Sequence, residues 1–213
     1  FIPQVEETTL IDAVMQTMIA SAFADAGSWR AAGHRLRVAV NLSVRNLGDR
    51  TLLDVIERNA ERHALEPSDI ELEITESAVM ADPDHCIALI SQLRERGYGV
   101  AIDDFGVGHS SLAYLQQLRV STLKIDQAFV KTLACDINNQ KIVRAILQLA
   151  RALGLDTVAE GVEDEASLAL LRDWGCDYAQ GYAVHRPAPS LELLQFVAQR
   201  RAGPQAALSR LGR

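Results

Sequence analysis

Apolar and polar positions along this chain switch repeatedly between the spacing of a helix and the spacing of a β-strand. Helical spacing runs from about Leu10 to Phe23, and a short β-type run at 37–41 follows once Gly33 has broken the helix. Further strands are predicted at 70–74, 99–103, 122–125, 156–159 and, more weakly, 178–180. Helices are predicted between and after them, at 52–63, 83–96, 112–118, 141–153, 165–174 and 191–200. Short strands alternating with helices predict βα units and a parallel sheet.

A polar side chain falls at the carboxyl end of every predicted strand. In a doubly wound sheet only the strands beside the switch point contribute to a site, whereas a closed barrel brings all of its strand ends to one face. A single such residue is as readily a turn or cap residue, but that explanation is weak for the whole set. The predicted fold class is therefore α/β, a TIM-type (β/α) barrel. The strand-end residues are Asn41, Glu73, Asp103, Asp104, Lys124, Asp126, Glu160 and Gln180.

The period of a strand places these polar residues on one face. Residues two apart on a strand share a face, so Glu71 and Glu73 point together, as do Lys124 and Asp126. The apolar residues between them point the opposite way, into the layer between strands and helices. The polar set is therefore expected to face the barrel axis.

Oxygen ligands at the strand ends are of the kind that Mg²⁺ or Mn²⁺ prefers. The candidate metal ligands are Asn41, Glu73, Asp103 and Asp104, and no His/Cys cluster with zinc spacing competes with them. The adjacent Asp103 and Asp104 would point in opposite directions on a continuous strand. At a strand-to-loop bend both can reach metals about 3.5 to 4 Å apart, which is the spacing in two-metal hydrolases.

Composition and charge narrow the class of partner. The chain has 213 residues, 48% of them hydrophobic, with a net charge of −7 and a pI near 5.2. Broad binding to polymeric nucleic acid is excluded by that charge, whereas a small anionic substrate is compatible with it if metal ions reverse the local charge. Three cysteines without a CxxC pair indicate reduced thiols. We expect a cytoplasmic protein, or the cytoplasmic part of a membrane-anchored one.

A series of short motifs resembles, in order, the motifs of the EAL family of cyclic-di-GMP phosphodiesterases, from Phe1 to about Pro189. The resemblance implies hydrolysis of cyclic di-GMP to the linear dinucleotide pGpG, in bacterial second-messenger signalling. It also implies a homodimer and an upstream sensory or GGDEF-type domain. The matching motifs are Asn41-Leu42-Ser43, Glu71-Leu72-Glu73-Ile74-Thr75-Glu76-Ser77, Asp103-Asp104-Phe105-Gly106, Lys124-Ile125-Asp126, Ala159-Glu160-Gly161-Val162-Glu163 and Gln180-Gly181-Tyr182.

The same resemblance implies a role for each site residue. Two divalent cations, Mg²⁺ or Mn²⁺, are expected, and Lys124 is expected to orient or polarise the nucleophilic water. Glu76 is expected to anchor the loop after Asp104. The remaining implied roles are metal ligation by Asn41, Glu73 and Asp103, ligation of the second metal by Asp104, completion of the site by Asp126 and Glu160, and substrate contacts from Asn41 and Gln180.

The chain departs from the family pattern at its start and in one loop. The Glu-Ala-Leu tripeptide that names the family, whose Glu is a metal ligand, belongs before Phe1, together with the first two strands of the barrel. We expect at least two more strands upstream in the natural protein. The loop carries Val107 and His109 where the family usually has Thr or Ala and then Tyr. Residues 1–200 are predicted to form the N-terminally incomplete barrel, and 201–213 a C-terminal tail.

Two other functions compete with a phosphodiesterase. A catalytically degenerate EAL domain would bind cyclic di-GMP as a sensor without cutting it, although the acidic motifs are nearly all retained. An aldolase-like barrel would use Lys124 as a Schiff-base lysine, which needs a depressed pKa. The acidic neighbours of Lys124 should instead keep it protonated.

Overall fold

A single parallel sheet forms the centre of the molecule. The structure, a computed structural model, describes residues 10–108 and 112–202. Within them, six strands lie side by side in the order in which they occur along the chain. The strands are β1 (Val38–Leu42), β2 (Ile70–Thr75), β3 (Gly99–Phe105), β4 (Thr122–Ile125), β5 (Asp156–Ala159) and β6 (Tyr178–Ala179).

Sequential strand order distinguishes this sheet from a doubly wound one, in which the order reverses at a switch point. Every neighbouring pair is parallel, so each connection crosses from the end of one strand to the start of the next. This is the arrangement of a (β/α) barrel, and the described strands supply six of the eight that a closed barrel contains. The predicted TIM-type fold class is confirmed.

Helices and one 3₁₀ turn, Pro67–Asp69, fill the connections. Several helices are N-capped by the side chain of the residue before them. Asp82 accepts from the His85 amide, with Pro83 at the first helical position, and Asp136 accepts from the Asn138 amide. The helices are α1 (Leu10–Ala31), α2 (Val44–Leu47), α3 (Leu52–Arg62), α4 (Glu76–Ala81), α5 (Pro83–Glu95), α6 (Leu112–Gln117), α7 (Gln127–Val130), α8 (Ile137–Leu153), α9 (Glu165–Asp173) and α10 (Ser190–Ala202).

Several element bounds differ from the sequence prediction. Helix α1 continues to Ala31 because Ala26 and Trp29 extend its buried face beyond Phe23. The short helices α2, α4 and α7 were not predicted, since one turn carries too few residues to show a period. Helix α10 continues through Ala202, beyond the predicted domain end at residue 200, and the rest of the predicted tail, 203–213, lies outside the described residues.

The hydrophobic core lies between the sheet and the helices. Leu72 and Ile74 of β2, Ile102 of β3, and Leu123 and Ile125 of β4 are at most 2% exposed and point into this layer. The opposite face of the same strands carries the charged residues, as the alternation predicts. Burial of one face and charge on the other hold these strands in register, because a slip by one residue would exchange the two faces.

Helices α1 and α10, the first and last of the described residues, contact each other. The Trp29 indole N–H of α1 donates to the Ser190 hydroxyl of α10 at 2.7 Å. Edge residues Asn41 and Gln180 are exposed on β1 and just after β6. Among the described helices, none combines the length and apolar character needed to cross a bilayer.

Candidate active site

A buried ammonium group lies at the centre of the acidic strand ends. Lys124 Nζ is 2.7 Å from Glu73 Oε2, 3.1 Å from Asp103 Oδ2 and 2.7 Å from Glu160 Oε1. The Lys124 side chain is only 5% exposed. These four residues come from β2, β3, β4 and the residue after β5, so the curvature of the sheet brings together side chains that are remote in sequence.

The register of the strands explains why these four side chains lie together. Glu73 of β2 pairs with Ala101 of β3, and Lys124 of β4 pairs with Val158 of β5. Side chains two residues apart share a face, so Asp103 and Glu160 follow on the same side as Ala101 and Val158. Glu73, Asp103, Lys124 and Glu160 therefore share one face, as the two-residue period predicts.

A backbone bend brings Asp104 to the same side as Asp103. Asp104 has φ of 54°, a left-handed conformation that is uncommon for a non-glycine residue, and its amide donates to Asp103 Oδ1 at 2.9 Å. The pairing of β3 with β4 shifts register between Ile102 and Phe105. The two adjacent aspartates thus face one site, the second of the two geometries considered from the sequence.

Asp103, Asp104 and Glu160 form a set that could hold a metal ion. One carboxylate oxygen from each lies within 4.8 Å of the others. All three donors are oxygen atoms, which fits a hard divalent cation such as Mg²⁺ or Mn²⁺ better than zinc. The sequence placed Glu160 among the catalytic residues, and the structure groups it with the two aspartates.

Burial and crowding shift the acid–base equilibria in this cluster. Burial raises the pKa of Glu73 and of Glu160, and the lowering effect of Lys124 does not cancel it. The pKa of Asp104 rises from its usual 3.8 to about 6, through burial first and then through its contact with Asp126. Burial contributes most to these shifts and repulsion between the carboxylates adds to them; a bound cation would offset both.

Lys124 itself remains charged. Burial favours its neutral form, but Glu73 and Glu160 outweigh burial, and the net pKa is raised. A Schiff-base lysine needs the opposite shift. The aldolase-like alternative therefore has no support from this site.

Glu76 reaches the loop that follows Asp104. It is the first residue of α4, directly after the capping residue Thr75, and it is 3% exposed. Its Oε2 accepts the Gly106 amide at 3.0 Å. A Cβ at Gly108 would lie 2.5 Å from Glu76 Oε1, so the carboxylate also fits closely against that glycine. Loop residues 109–111 lie outside the described residues.

Two predicted site residues lie at the open edges. Asn41 pairs with Glu73 across β1 and β2, which places it beside the acidic cluster. Gln180 is held by its backbone, since its amide donates to Ala159 O at 2.8 Å and its carbonyl accepts from the Val162 amide at 3.0 Å. Both side chains are exposed. Neither makes a side-chain hydrogen bond to the acidic cluster among the described residues.

Comparison with known proteins places this arrangement in a family. The EAL domain model matches residues 1–187. The chain belongs to the EAL domain family. It is 42% identical over 93% of its length to the bifunctional diguanylate cyclase/cyclic di-GMP phosphodiesterase MucR of Pseudomonas aeruginosa, and 41% identical over 92% to the cyclic di-GMP phosphodiesterase NbdA of the same organism.

A solved structure of the MucR phosphodiesterase in complex with c-di-GMP superposes with a TM-score of 0.87 at 42% identity. The match covers 91% of this chain and 78% of that one. This chain spans only 29% of the length of MucR and 25% of that of NbdA. The match to these EAL proteins therefore concerns one part of larger proteins.

Proposed function

We propose that this chain hydrolyses cyclic di-GMP to the linear dinucleotide pGpG with the help of Mg²⁺ or Mn²⁺. The observation that carries the proposal is the cluster of Asp103, Asp104 and Glu160, of which Asp103 and Glu160 contact the charged Lys124 ammonium, in a member of the EAL domain family. An acidic cluster with one buried ammonium suits a phosphodiester because cations and lysine together offset the charge of the phosphate.

Each site residue has a distinct part in this proposal. Asn41, Glu73 and Asp103 would hold one cation, and Asp104 a second, with Glu160 close enough to share the site. When bound, such cations lower the pKa of water and stabilise the leaving oxygen. Gln180 would contact the substrate from the end of β6.

Proton handling in the site follows from the pKa shifts. The Lys124 ammonium is charged and can donate a hydrogen bond to the attacking water. Glu160 or Asp126 could accept the proton of that water, and burial has already raised the pKa of Glu160 toward the range useful for a general base. Glu76 would act indirectly, by holding the Gly106 amide and so the loop after Asp104.

The competing function is a sensor that binds cyclic di-GMP without cutting it. Fold alone does not decide between the two. Glu73, Asp103 and Glu160 all contact Lys124 Nζ, and Asp104 lies with Asp103 and Glu160, so the acidic cluster that the catalytic proposal uses is present. We therefore favour the enzyme.

We also propose the domain context, oligomeric state and location of the full-length protein. Residues 1–200 would form one EAL unit of a larger cytoplasmic protein, or of the cytoplasmic part of a membrane-anchored one. A homodimer and an upstream sensory or GGDEF-type domain would complete it. The short span of this chain within MucR and NbdA supports the presence of further domains.

An isotope experiment tests the proposal. The protein, purified at its natural length, is incubated with cyclic di-GMP and Mn²⁺ in ¹⁸O-labelled water, and the products are analysed by mass spectrometry. Hydrolysis by a water molecule predicts pGpG with one ¹⁸O in its terminal phosphate. Tight binding without any linear product would instead establish the sensor.

A further inference from the structure

A second polar contact lies beneath the Lys124–Glu73 pair, one step closer to the amino ends of the strands, and the catalytic scheme does not use it. The Thr122 hydroxyl donates to Glu71 Oε1 at 2.6 Å. Thr122 precedes Lys124 by two residues on β4, and Glu71 precedes Glu73 by two residues on β2. The two contacts therefore share one face and join β2 to β4 across β3 with the same diagonal offset.

Small residues on β3 leave room for this contact. Glu71 of β2 pairs with Gly99 of β3, and Thr122 of β4 pairs with Ala101 of β3. A Cβ on Gly99 would lie 3.3 Å from both Cβ and Oε1 of Glu71, so the Glu71 side chain lies closely over that glycine. The side chains of β2 and β4 can thus meet because β3 carries no larger side chain between them.

Burial makes the hydrogen bond demanding in its geometry. Thr122 is 1% exposed and Glu71 is 7% exposed. Arg37 also approaches Glu71 Oε1, but at 3.4 Å and from a side chain that is 45% exposed. The Thr122 hydroxyl is therefore the shorter and drier of these two contacts. A buried carboxylate that loses such a donor is costly, so the contact resists separation of the two strands.

Position one step below the acidic cluster gives the contact a consequence for the site. Polar partners that hold metal ligands in place commonly change metal affinity by about 10- to 100-fold when they are removed. We propose that Glu71 and Thr122 are positioning residues, whose hydrogen bond sets the separation of β2 and β4 and thereby the place of Glu73 beside Lys124. This inference rests on the proposed function, because it takes Glu73 to be a ligand of the cation.

Calorimetric binding of Mn²⁺ to the full-length protein, without substrate, tests the proposal. Thr122→Val removes the hydroxyl and keeps the branched shape, and the affinity for Mn²⁺ should fall about tenfold. Thr122→Ser keeps a hydroxyl and should retain most of the affinity. Unchanged affinity in Thr122→Val, or an equal loss in Thr122→Ser, would overturn the proposal.

A double variant separates positioning from a general loss of stability. Thr122→Val leaves a buried carboxylate short of a donor, whereas combining it with Glu71→Met removes both partners of the hydrogen bond. Stability to urea in chelator should therefore recover in the double variant. The affinity for Mn²⁺ should stay about tenfold below normal, because the link between β2 and β4 is still missing. Recovery of the Mn²⁺ affinity together with stability would reduce the pair to a structural role and overturn the proposal.

Thr157 offers a matched control on the opposite face of the sheet. It is 3% exposed, and its hydroxyl donates to Asp177 Oδ2 at 2.7 Å, a contact of the same kind. Thr157 pairs with Leu123, whose side chain packs toward the helices. Thr157→Val should leave the affinity for Mn²⁺ unchanged, and a tenfold loss there would overturn a specific role for Glu71 and Thr122.

Product analysis distinguishes failure of this inference from failure of the proposed function. If the unmodified protein binds Mn²⁺ but forms no pGpG, the hydrolase is rejected, and a selective loss of Mn²⁺ affinity in Thr122→Val still supports the positioning pair. If pGpG forms and Thr122→Val binds Mn²⁺ normally, the positioning pair is rejected and the hydrolase stands. No binding of Mn²⁺ by the unmodified protein would reject both.

Discussion

Lys124 Nζ lies 2.7 Å from Glu73 Oε2, and both side chains are nearly excluded from solvent. A buried carboxylate without a partner is costly, so this lysine offsets the charge of an acid cluster that otherwise needs a cation. The contact also joins β4 to β2 across β3, which lies between them in the sheet. The same ammonium thereby supports both the fold and the chemistry proposed for the site.

Removing Lys124 should destabilise the metal-free protein. Lys124→Met leaves buried carboxylates unpaired, and we expect a loss of about 3 kcal/mol in the free energy of unfolding, measured by urea denaturation in chelator. Lys131→Met is the matched control, because Lys131 pairs with Glu163 at 3.7 Å with both side chains roughly half exposed. That control should lose less than about 1 kcal/mol. Equal losses in the two variants would contradict the structural role of Lys124.

Removing a proposed metal ligand should abolish turnover while preserving the fold. Glu73→Ala and Asp103→Ala each delete a charge from a crowded acidic cluster, so we expect unchanged circular dichroism and no measurable product. Asp156→Ala is the control, since Asp156 is an exposed carboxylate at the opposite end of β5. The turnover rate of Asp156→Ala should match that of the unmodified protein. Retained turnover in Asp103→Ala would remove Asp103 from the catalytic site.

Glu76→Ala should reduce turnover through the loop. The substitution deletes the acceptor of the Gly106 amide but none of the proposed metal ligands. We expect at least a tenfold fall in kcat with the affinity for one Mn²⁺ ion within threefold of normal, measured by calorimetry. A fully active Glu76→Ala protein would show that this contact is not needed for catalysis.

Acid should weaken metal binding through Asp104. Because its pKa in the metal-free protein is raised to about 6, the proton is held more tightly than in the unfolded chain and competes with the metal below that pH. Apparent Mn²⁺ affinity should fall about tenfold per pH unit below pH 6. By the same linkage, Asp104 stabilises the metal-free fold in acid, and this contribution disappears as the pH rises through about 6. Asp104→Asn should reduce both dependences without abolishing them, because the pKa values of Glu73 and Glu160 are raised as well. An unchanged pH dependence in Asp104→Asn would show that another group is responsible.

Sequence periodicity was sufficient to predict the central strands of the sheet, because each of these strands has one apolar and one polar face. The predicted bounds of β4 and β5 match the structure, and the inward orientation of Glu73 and Lys124 followed from the two-residue period. β3 runs on to Phe105, beyond its predicted end: Asp104 adopts a left-handed conformation where the register shifts, and Phe105 then pairs with Ile125 of β4. No local pattern indicates that conformation.

The composition of the acidic cluster was only partly predictable. Glu160 approaches Asp103 because the sheet curves, which depends on packing across β3, β4 and β5 together. Glu71 was predicted only to share a face with Glu73, and its hydrogen bond with Thr122 depends on how β2 and β4 lie across β3. Such contacts are set by tertiary structure and leave no periodic signal in the sequence.

Metal-dependent cleavage of cyclic di-GMP is tested most directly by chromatography of the reaction products at a series of Mn²⁺ concentrations, with a chelator as the blank. The expected result is formation of pGpG that rises with Mn²⁺ to saturation, is supported by Mg²⁺ and poorly by Ca²⁺, and stops in chelator. Equal cleavage with and without chelator, or no pGpG at saturating Mn²⁺ despite bound cyclic di-GMP, would contradict a metal-dependent phosphodiesterase.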